Sequence, residues 1–183
     1  MKISQTFSIR RLGIRDAQDL SLLAKSTFIN AFGPKIIVDE VRIKFDAYVE
    51  NGYAIETMQS LLQKTDCWCY GMFENEKLIG FIQCSAPSNQ SLNRGIDCME
   101  VDRLYVDSKR TGEGLGAMLL KRGIDLAKEL NKSKVWLRVW SNNEAAVRFY
   151  LRHGFVDVDR ADDKWMNPGD FDYVLEMDIK KVA

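Results

Sequence analysis

Three glycines, at 112, 114 and 116, stand in the run Val106-Asp107-Ser108-Lys109-Arg110-Thr111-Gly112-Glu113-Gly114-Leu115-Gly116, between a strand-like segment and a helical one. Met99 to Val106 reads as an extended strand, and Leu115, Met118, Leu119, Leu126, Ala127 and Leu130 recur at helical spacing. Glycine has no side chain to hold a ligand away from the backbone, and the first amides of a helix have no internal partners. The pattern predicts a cradle of N–H donors for an anion such as a phosphate or pyrophosphate.

The neighbouring residues narrow the kind of loop. A Walker loop ends in Gly-Lys followed by Ser or Thr, whereas Ala117 and Met118 follow Gly116, which argues against ATPase chemistry. A dinucleotide fingerprint belongs to the first βα unit of a parallel array, but this loop lies past mid-chain with no βαβ series before it.

A second cluster runs Asn143-Glu144-Ala145-Ala146-Val147-Arg148-Phe149-Tyr150-Leu151-Arg152-His153-Gly154-Phe155. Ser141 and Glu144 have capping-box spacing, Ala146, Val147, Tyr150 and Leu151 share one helical face, and Gly154 is placed to cap the C-terminus. The predicted helix follows a strand at Val135 to Trp140. His153, the single histidine, sits where a positive charge suits a helix C-terminus better than it suits a catalytic base.

In this order and spacing the two motifs resemble the Gcn5-related N-acetyltransferases. That family's signature is a strand ending in Leu-x-Val, here Leu104-Tyr105-Val106, then a Gly-x-Gly pyrophosphate loop, then an Asn-x-x-Ala-x-x-Phe-Tyr helix closing on Gly-Phe. The resemblance implies one α/β (mixed α+β) domain over residues 1–183. Its twisted, mixed, mostly antiparallel sheet of about seven strands is flanked by helices, with the strands of Val106 and Val135 splayed for a cofactor. It also implies acetyl-CoA as co-substrate, no metal, and direct attack of an amine within a ternary complex. Leu104, Tyr105, Thr111, Gly112, Glu113, Gly114, Leu115 and Gly116 are the cofactor contacts by this resemblance. The Val106 N–H is expected to donate to the thioester carbonyl, Asn143 to hold the pantetheine arm, and Tyr150 to face the sulfur as general acid. The family loop usually opens with Arg or Gln. Here Thr111 takes that position, with Lys109 and Arg110 just before it.

Acetyl transfer to an amine needs a proton acceptor, because an alkylammonium of pKa about 10.4 is deprotonated in only about one molecule in 2,500 at pH 7, a deficit of roughly 4.6 kcal/mol. Strand alternation places Glu100, Asp102, Leu104 and Val106 on one face, and Glu100 matches the position where related enzymes hold a base, ahead of Asp102. The competing reading for both carboxylates is a solvated group on the strand face or a salt bridge with Arg103 or Arg138. Transfer of a proton from tyrosine, pKa about 10, to a thiolate, pKa about 8.5, is uphill by roughly 2 kcal/mol. Tyr150 is therefore expected to act mainly as a hydrogen-bond donor to the leaving sulfur.

Within the family, Phe28-Ile29-Asn30-Ala31-Phe32-Gly33-Pro34, Asp102 to Val106, Trp136 to Trp140 and Gly154-Phe155 resemble the polyamine-acetylating PaiA-like branch. This implies spermidine or spermine as acceptor, with aromatic and acidic residues between Asp39 and Tyr53 lining its pocket. A protein N-terminus, an amino acid, an antibiotic amine, or a non-catalytic acyl-CoA-binding module are the alternatives.

Composition bounds the partners. The chain has 183 residues, 46% of them hydrophobic, with no apolar run long enough to cross a bilayer and no signal-peptide pattern at its start, so a cytoplasmic globular protein is expected. Its 26 basic and 26 acidic residues give no general drive toward nucleic acid or anionic membrane. A homodimer is an open option. Cys67, Cys69, Cys84 and Cys98 lack knuckle spacing and, with one histidine, predict buried reduced thiols rather than zinc.

Around the motifs, the sequence predicts a strand at Phe7 to Leu12 and helices at Asp16 to Phe32, Val38 to Val49 and Ile55 to Leu62, the last two parted by an Asn51-Gly52 turn. A hairpin follows at Asp66 to Glu74 and Lys77 to Ala86, then a mobile polar loop at Pro87 to Arg94. Phe155 to Asp159 and Tyr173 to Ile179 read as the last strands, separated by a polar segment from Asp162 to Asp170.

Overall fold

The computed structural model describes residues 6–162 and 167–180; the first five residues and the middle of the polar Asp162–Asp170 segment lie outside them. Seven strands form one sheet: β1 (Phe7–Arg11), β2 (Cys67–Glu74), β3 (Lys77–Ser85), β4 (Cys98–Val106), β5 (Lys134–Trp140), β6 (Val156–Asp162) and β7 (Phe171–Asp178). Their order across the sheet is β1-β2-β3-β4-β5-β7-β6, and every neighbouring pair is antiparallel except β4 with β5. Five α-helices cover its faces: α1 (Ala17–Phe32), α2 (Asp39–Gly52), α3 (Ile55–Gln63), α4 (Leu115–Glu129) and α5 (Glu144–Arg152). The mixed sheet expected from the motifs is present.

Two apolar layers hold the sheet. On one side, α4 sets Leu115, Leu119, Leu120 and Leu126 against Ile79, Ile82, Val101 and Val135, and α5 adds Tyr150. Each fully buried leucine contributes roughly 1.5–3 kcal/mol of transfer free energy. On the other side, Leu20, Ala24 and Phe28, four residues apart along α1, meet Phe45 of α2, Met58 of α3 and Phe81 of β3. Met118 and Leu130, grouped with the apolar face of α4 by spacing, are 44% and 36% exposed.

Several boundaries differ from the sequence reading for local reasons. Asn51 and Gly52 belong to the last turn of α2, and the break falls at Tyr53-Ala54, where the Tyr53 carbonyl accepts the Ser21 hydroxyl at 2.5 Å. The Pro87–Arg94 segment, expected to be mobile, is tied down. Ser88 donates to Asp66 at 2.6 Å, Gln90 to the Cys98 carbonyl at 2.9 Å, and the Ser91 amide to Glu100 at 2.6 Å. The N-cap of α5 is Asn143, whose side chain accepts the Ala146 amide, and not Ser141.

Two irregularities of β4 shape everything near it. It pairs with β5 only at Cys98, Met99 and Glu100, against Lys134, Val135 and Trp136, after which the two strands part. The expected splay is therefore real and begins immediately after Glu100. On its other edge the register with β3 jumps from Cys84↔Val101 to Gln83↔Arg103, which leaves Asp102 as an extra, bulged residue.

Candidate active site

The glycine loop is built as a donor cradle. Asp107 caps a short turn at Ser108–Arg110 by accepting the Lys109 amide, and α4 then starts from Gly114 in the left-handed region at φ +78°. Gly112 is also left-handed, at φ +89°, a conformation that costs a residue with a Cβ. The Gly114 carbonyl accepts from Ala117 and Met118, so the amides of Leu115 and Gly116 stand at the helix start without an intrahelical acceptor. At Gly116 a Cβ would lie 3.6 Å from the Phe149 ring, an ordinary contact, so the approach of α5 to the start of α4 does not require glycine there. That approach brings the two sequence motifs together.

Three of the loop's side chains are bonded within the loop or to the sheet. The Thr111 hydroxyl donates to the Ser108 carbonyl at 3.0 Å. Arg110 makes two bonds to Glu113, at 2.7 and 2.9 Å, and one to Glu74 of β2 at 2.5 Å. These carboxylates, Glu113 first, raise the guanidinium's pKa. Arg110 is a strut between loop and sheet, and backbone amides are left to meet an anion.

Beyond the loop lies the gap between β4 and β5. The Asp107 amide donates to Ile79 of β3, so by antiparallel alternation the Val106 N–H points the other way, into the gap. Tyr150 on α5 is 8% exposed, and burial raises its phenol pKa further above the usual value. The Tyr105 phenol is likewise pushed up, chiefly by burial and further by Tyr150. The Asn143 oxygen is committed to capping α5, which leaves its amide N–H groups available. His153 bonds the Phe149 carbonyl through Nδ1 at 2.7 Å, a role at the helix C-terminus as expected.

On the opposite face of β4 is a cavity of about 460 Å³. The sequence reading put Glu100, Asp102, Leu104 and Val106 on one face; the bulge overturns that. Beyond Asp102 the alternation is inverted, so Leu104 and Val106 pack into the α4 layer while Arg103 and Tyr105 line the cavity with Glu100 and Asp102. Aromatic rings of Phe28, Phe32, Tyr48, Tyr53 and Trp140 make the rest of the wall. Of the Asp39–Tyr53 stretch, only Tyr48 and Tyr53 line it; Asp39, Glu40, Asp46 and Glu50 are exposed, and Glu50 pairs with Lys25 at 3.0 Å.

Glu100, Asp102 and Arg103, three of the charged residues lining the cavity, are held by neutral groups. Glu100 is 3% exposed and accepts both the amide and the hydroxyl of Ser91. Burial pushes its carboxyl pKa up, against the Ser91 hydrogen bonds. Asp102 accepts the Ser85 hydroxyl at 2.7 Å and is pushed well above the usual carboxylate range, first by burial and then by the Glu100 charge. Arg103 donates to Gln83 Oε1 at 2.8 Å and Tyr48 Oη at 3.2 Å, and its guanidinium lies 4.8 Å from the Tyr53 ring centre. Neither carboxylate takes the salt bridge considered from sequence: Arg138 pairs with Asp172 at 2.8 Å instead. Sequence reasoning missed Ser91 and the two arginines as cavity residues, and Ser85 as the partner of Asp102. Period-2 alternation on β5 could have grouped Arg138 with Trp140.

The four cysteines are buried free thiols, as expected, but they are not alike. The Cys69 thiol donates to Cys67, bringing that thiol down to about 7 against the effect of burial. Among the described residues no cluster of three His, Cys, Asp or Glu is arranged to hold a metal, and no helix is long and apolar enough to cross a membrane.

The raised carboxyls set a stability test. A folded-state pKa above the unfolded value means that the folded protein holds the proton longer, so stability is lost as pH rises through that interval. Asp102→Asn removes the penalty while keeping an acceptor for Ser85. The variant is expected to melt at a higher temperature than the parent at pH 8, with the gain vanishing as pH falls toward 4; melting curves across that range check it.

The model of the acetyltransferase (GNAT) family matches residues 37–155. An uncharacterised N-acetyltransferase of Lactobacillus delbrueckii subsp. lactis is 21% identical over 142 residues, 78% of this chain and 80% of its own. A spermine/spermidine N(1)-acetyltransferase of Bacillus subtilis is 30% identical over 107 residues, 56% of this chain and 70% of its own. The crystal structure of PaiA N-acetyltransferase from Thermoplasma acidophilum in complex with coenzyme A superposes with a TM-score of 0.76 at 22% identity, covering 94% of this chain and 99% of that one. The chain belongs to the acetyltransferase (GNAT) family and is an N-acetyltransferase with acetyl-CoA as donor.

Proposed function

We propose that this enzyme acetylates a small primary amine by direct attack on acetyl-CoA. The observation that carries the reading is the unpaired Val106 N–H, set between the glycine cradle and a cavity with two buried carboxylates. The pyrophosphate rests on the loop amides from Gly112 to Gly116, with Leu104, Tyr105 and Asn143 along the arm. Val106 donates to the thioester carbonyl and strengthens its bond as the oxygen gains charge. Glu100, with Asp102 beside it, takes the ammonium proton, and burial makes each a stronger base than a solvated carboxylate. Tyr150 donates a hydrogen bond to the departing sulfur, since its raised pKa makes full proton transfer costlier than for a free phenol. The spermine/spermidine relative makes a polyamine the first acceptor to try. Amino acids, antibiotic amines and protein N-termini call for the same chemistry.

Three variants test this assignment. Gly114→Val forces a β-branched residue to φ +78° and is expected to weaken acetyl-CoA binding at least about tenfold, while Thr111→Ala changes it little; calorimetric titration separates them. Equal tolerance of both would remove the cradle.

Glu100→Gln is expected to cost about 10²- to 10⁴-fold in turnover at neutral pH with cofactor affinity kept, recovering partly as pH rises and the amine arrives deprotonated. Parent turnover falls as pH drops through the raised carboxyl pKa. A flat ratio of the two enzymes from pH 6 to 9 would take the base role from Glu100.

Tyr150→Phe keeps the ring packing and is expected to lose roughly 1.5–3 kcal/mol of transition-state stabilisation, about 10- to 150-fold in rate. Parental turnover in that variant, with an unchanged melting curve, would make Tyr150 a packing residue.

A further inference from the structure

A second cavity of about 350 Å³ lies against α3, and Cys67 and Ser85 are in its lining. Gln83, Asp102 and Arg103 line both cavities, so Asp102 is reached from either. Cys67 on β2 and Ser85 on β3 are directly opposite in the sheet, and they are 4% and 2% exposed. Among the described residues, the single proton of the Ser85 hydroxyl has two side-chain acceptors: Asp102 Oδ2 at 2.7 Å and Cys67 Sγ at 3.7 Å, a contact length that sulfur allows.

An ionised Asp102 can only accept, and Ser85 then directs its proton to it. Once Asp102 has taken a proton it becomes a donor to Ser85 Oγ. The Ser85 proton must then turn elsewhere or be stranded in the interior, which costs free energy. Cys67 Sγ is the acceptor on the other side. Cys69 donates to that sulfur and brings its pKa down to about 7, so a thiolate is accessible at neutral pH. The other charged or titratable groups acting on Cys67 or Asp102 are Glu100 and Arg103 on β4, and Lys64 after α3; Cys84 on β3 responds to both.

We infer that Cys67 is a positioning residue for the carboxylate that accepts the amine's proton: it receives the Ser85 hydrogen bond when Asp102 becomes protonated. A chain from Asp102 O–H to Ser85 O–H to Cys67 Sγ then replaces the resting bond from Ser85 to Asp102. The ammonium N–H bond breaks, an O–H bond forms on Asp102, and the Ser85 hydroxyl rotates without losing its proton. This rests on the reading of Glu100 and Asp102 as the proton-accepting pair.

The test follows the Asp102 carboxyl carbon of the intact protein by NMR across pH, assigned by its loss in Asp102→Asn, together with the acid limb of kcat/KM for an acetylated amine. Cys67→Ala is expected to move the Asp102 titration down by about one pH unit, a tenfold fall in proton affinity, and to carry the kcat/KM limb with it. Cys67→Ser returns an acceptor without a charge and is expected to restore most of the shift. In a Ser85→Ala background, Cys67→Ala is expected to move the titration much less. Cys67→Ser behaving like Cys67→Ala would show charge alone at work and overturn the inference, as would a full shift in the Ser85→Ala background. An unmoved Asp102 titration overturns it too and leaves the acetyltransferase reading intact. A titration that shifts while the kcat/KM limb stays put takes the base role from Asp102, and the positioning role falls with it. If the variants do not fold, the parent decides: the Asp102 carboxyl carbon and the Cys67 β-carbon are expected to show each other's inflections, and independent titrations overturn the coupling.

Discussion

Everything in the site depends on β4 and β5 being bonded for three residue pairs and no further. In an ordinary sheet the next N–H and C=O groups would be consumed by the neighbouring strand. Here the row from Leu104 to Val106 is left facing a gap, while β5 stays fixed along its full length by β7 on its other side. A backbone row of this kind invites a chain-like ligand bearing its own amides. The glycine cradle at the end of β4 and α5 beside it then fix where the ends of such a ligand lie.

The balance of charge follows a second rule. Carboxylates of Glu100 and Asp102 are bonded by serine side chains, and Arg103 by an amide and a phenol. Neutral partners satisfy hydrogen bonds without cancelling charge, so the groups keep their electrostatic reach at the cost of folding stability. Arg138 and Asp172, by contrast, pair with each other at the cavity wall. Arg110 is neutralised beside the loop, so its guanidinium adds little to the dipoles of the backbone amides left open there.

The order of elements was legible because it is written in short-range patterns: glycines requiring left-handed backbone, leucines at helical spacing on α4, an Asn-Glu turn between β2 and β3. The contacts of the Pro87–Arg94 segment were not, since its partners Asp66, Cys98 and Glu100 are distant or lie across a turn. Gly116 illustrates the middle ground. Its presence in the motif was readable, but its neighbour, the Phe149 ring of another helix, exists only in three dimensions. The cavity's aromatic wall likewise gathers Phe28, Tyr53 and Trp140 from three separate stretches, and no periodicity relates them.

The bulge at Asp102 gives β4 two halves with opposite parity: Met99 and Val101 before it and Leu104 and Val106 after it face the same apolar layer. The bulge is consequently a harder constraint than residue identity. Flattening it with all nine residues kept would slip the second half of the strand by one position, sending Arg103 and Tyr105 into the leucines of α4 and Leu104 and Val106 into the cavity, whereas deleting Asp102 would keep every other side chain on its present face. Asp102 is thus a residue the sheet itself does not need, and its place in the strand serves the site alone.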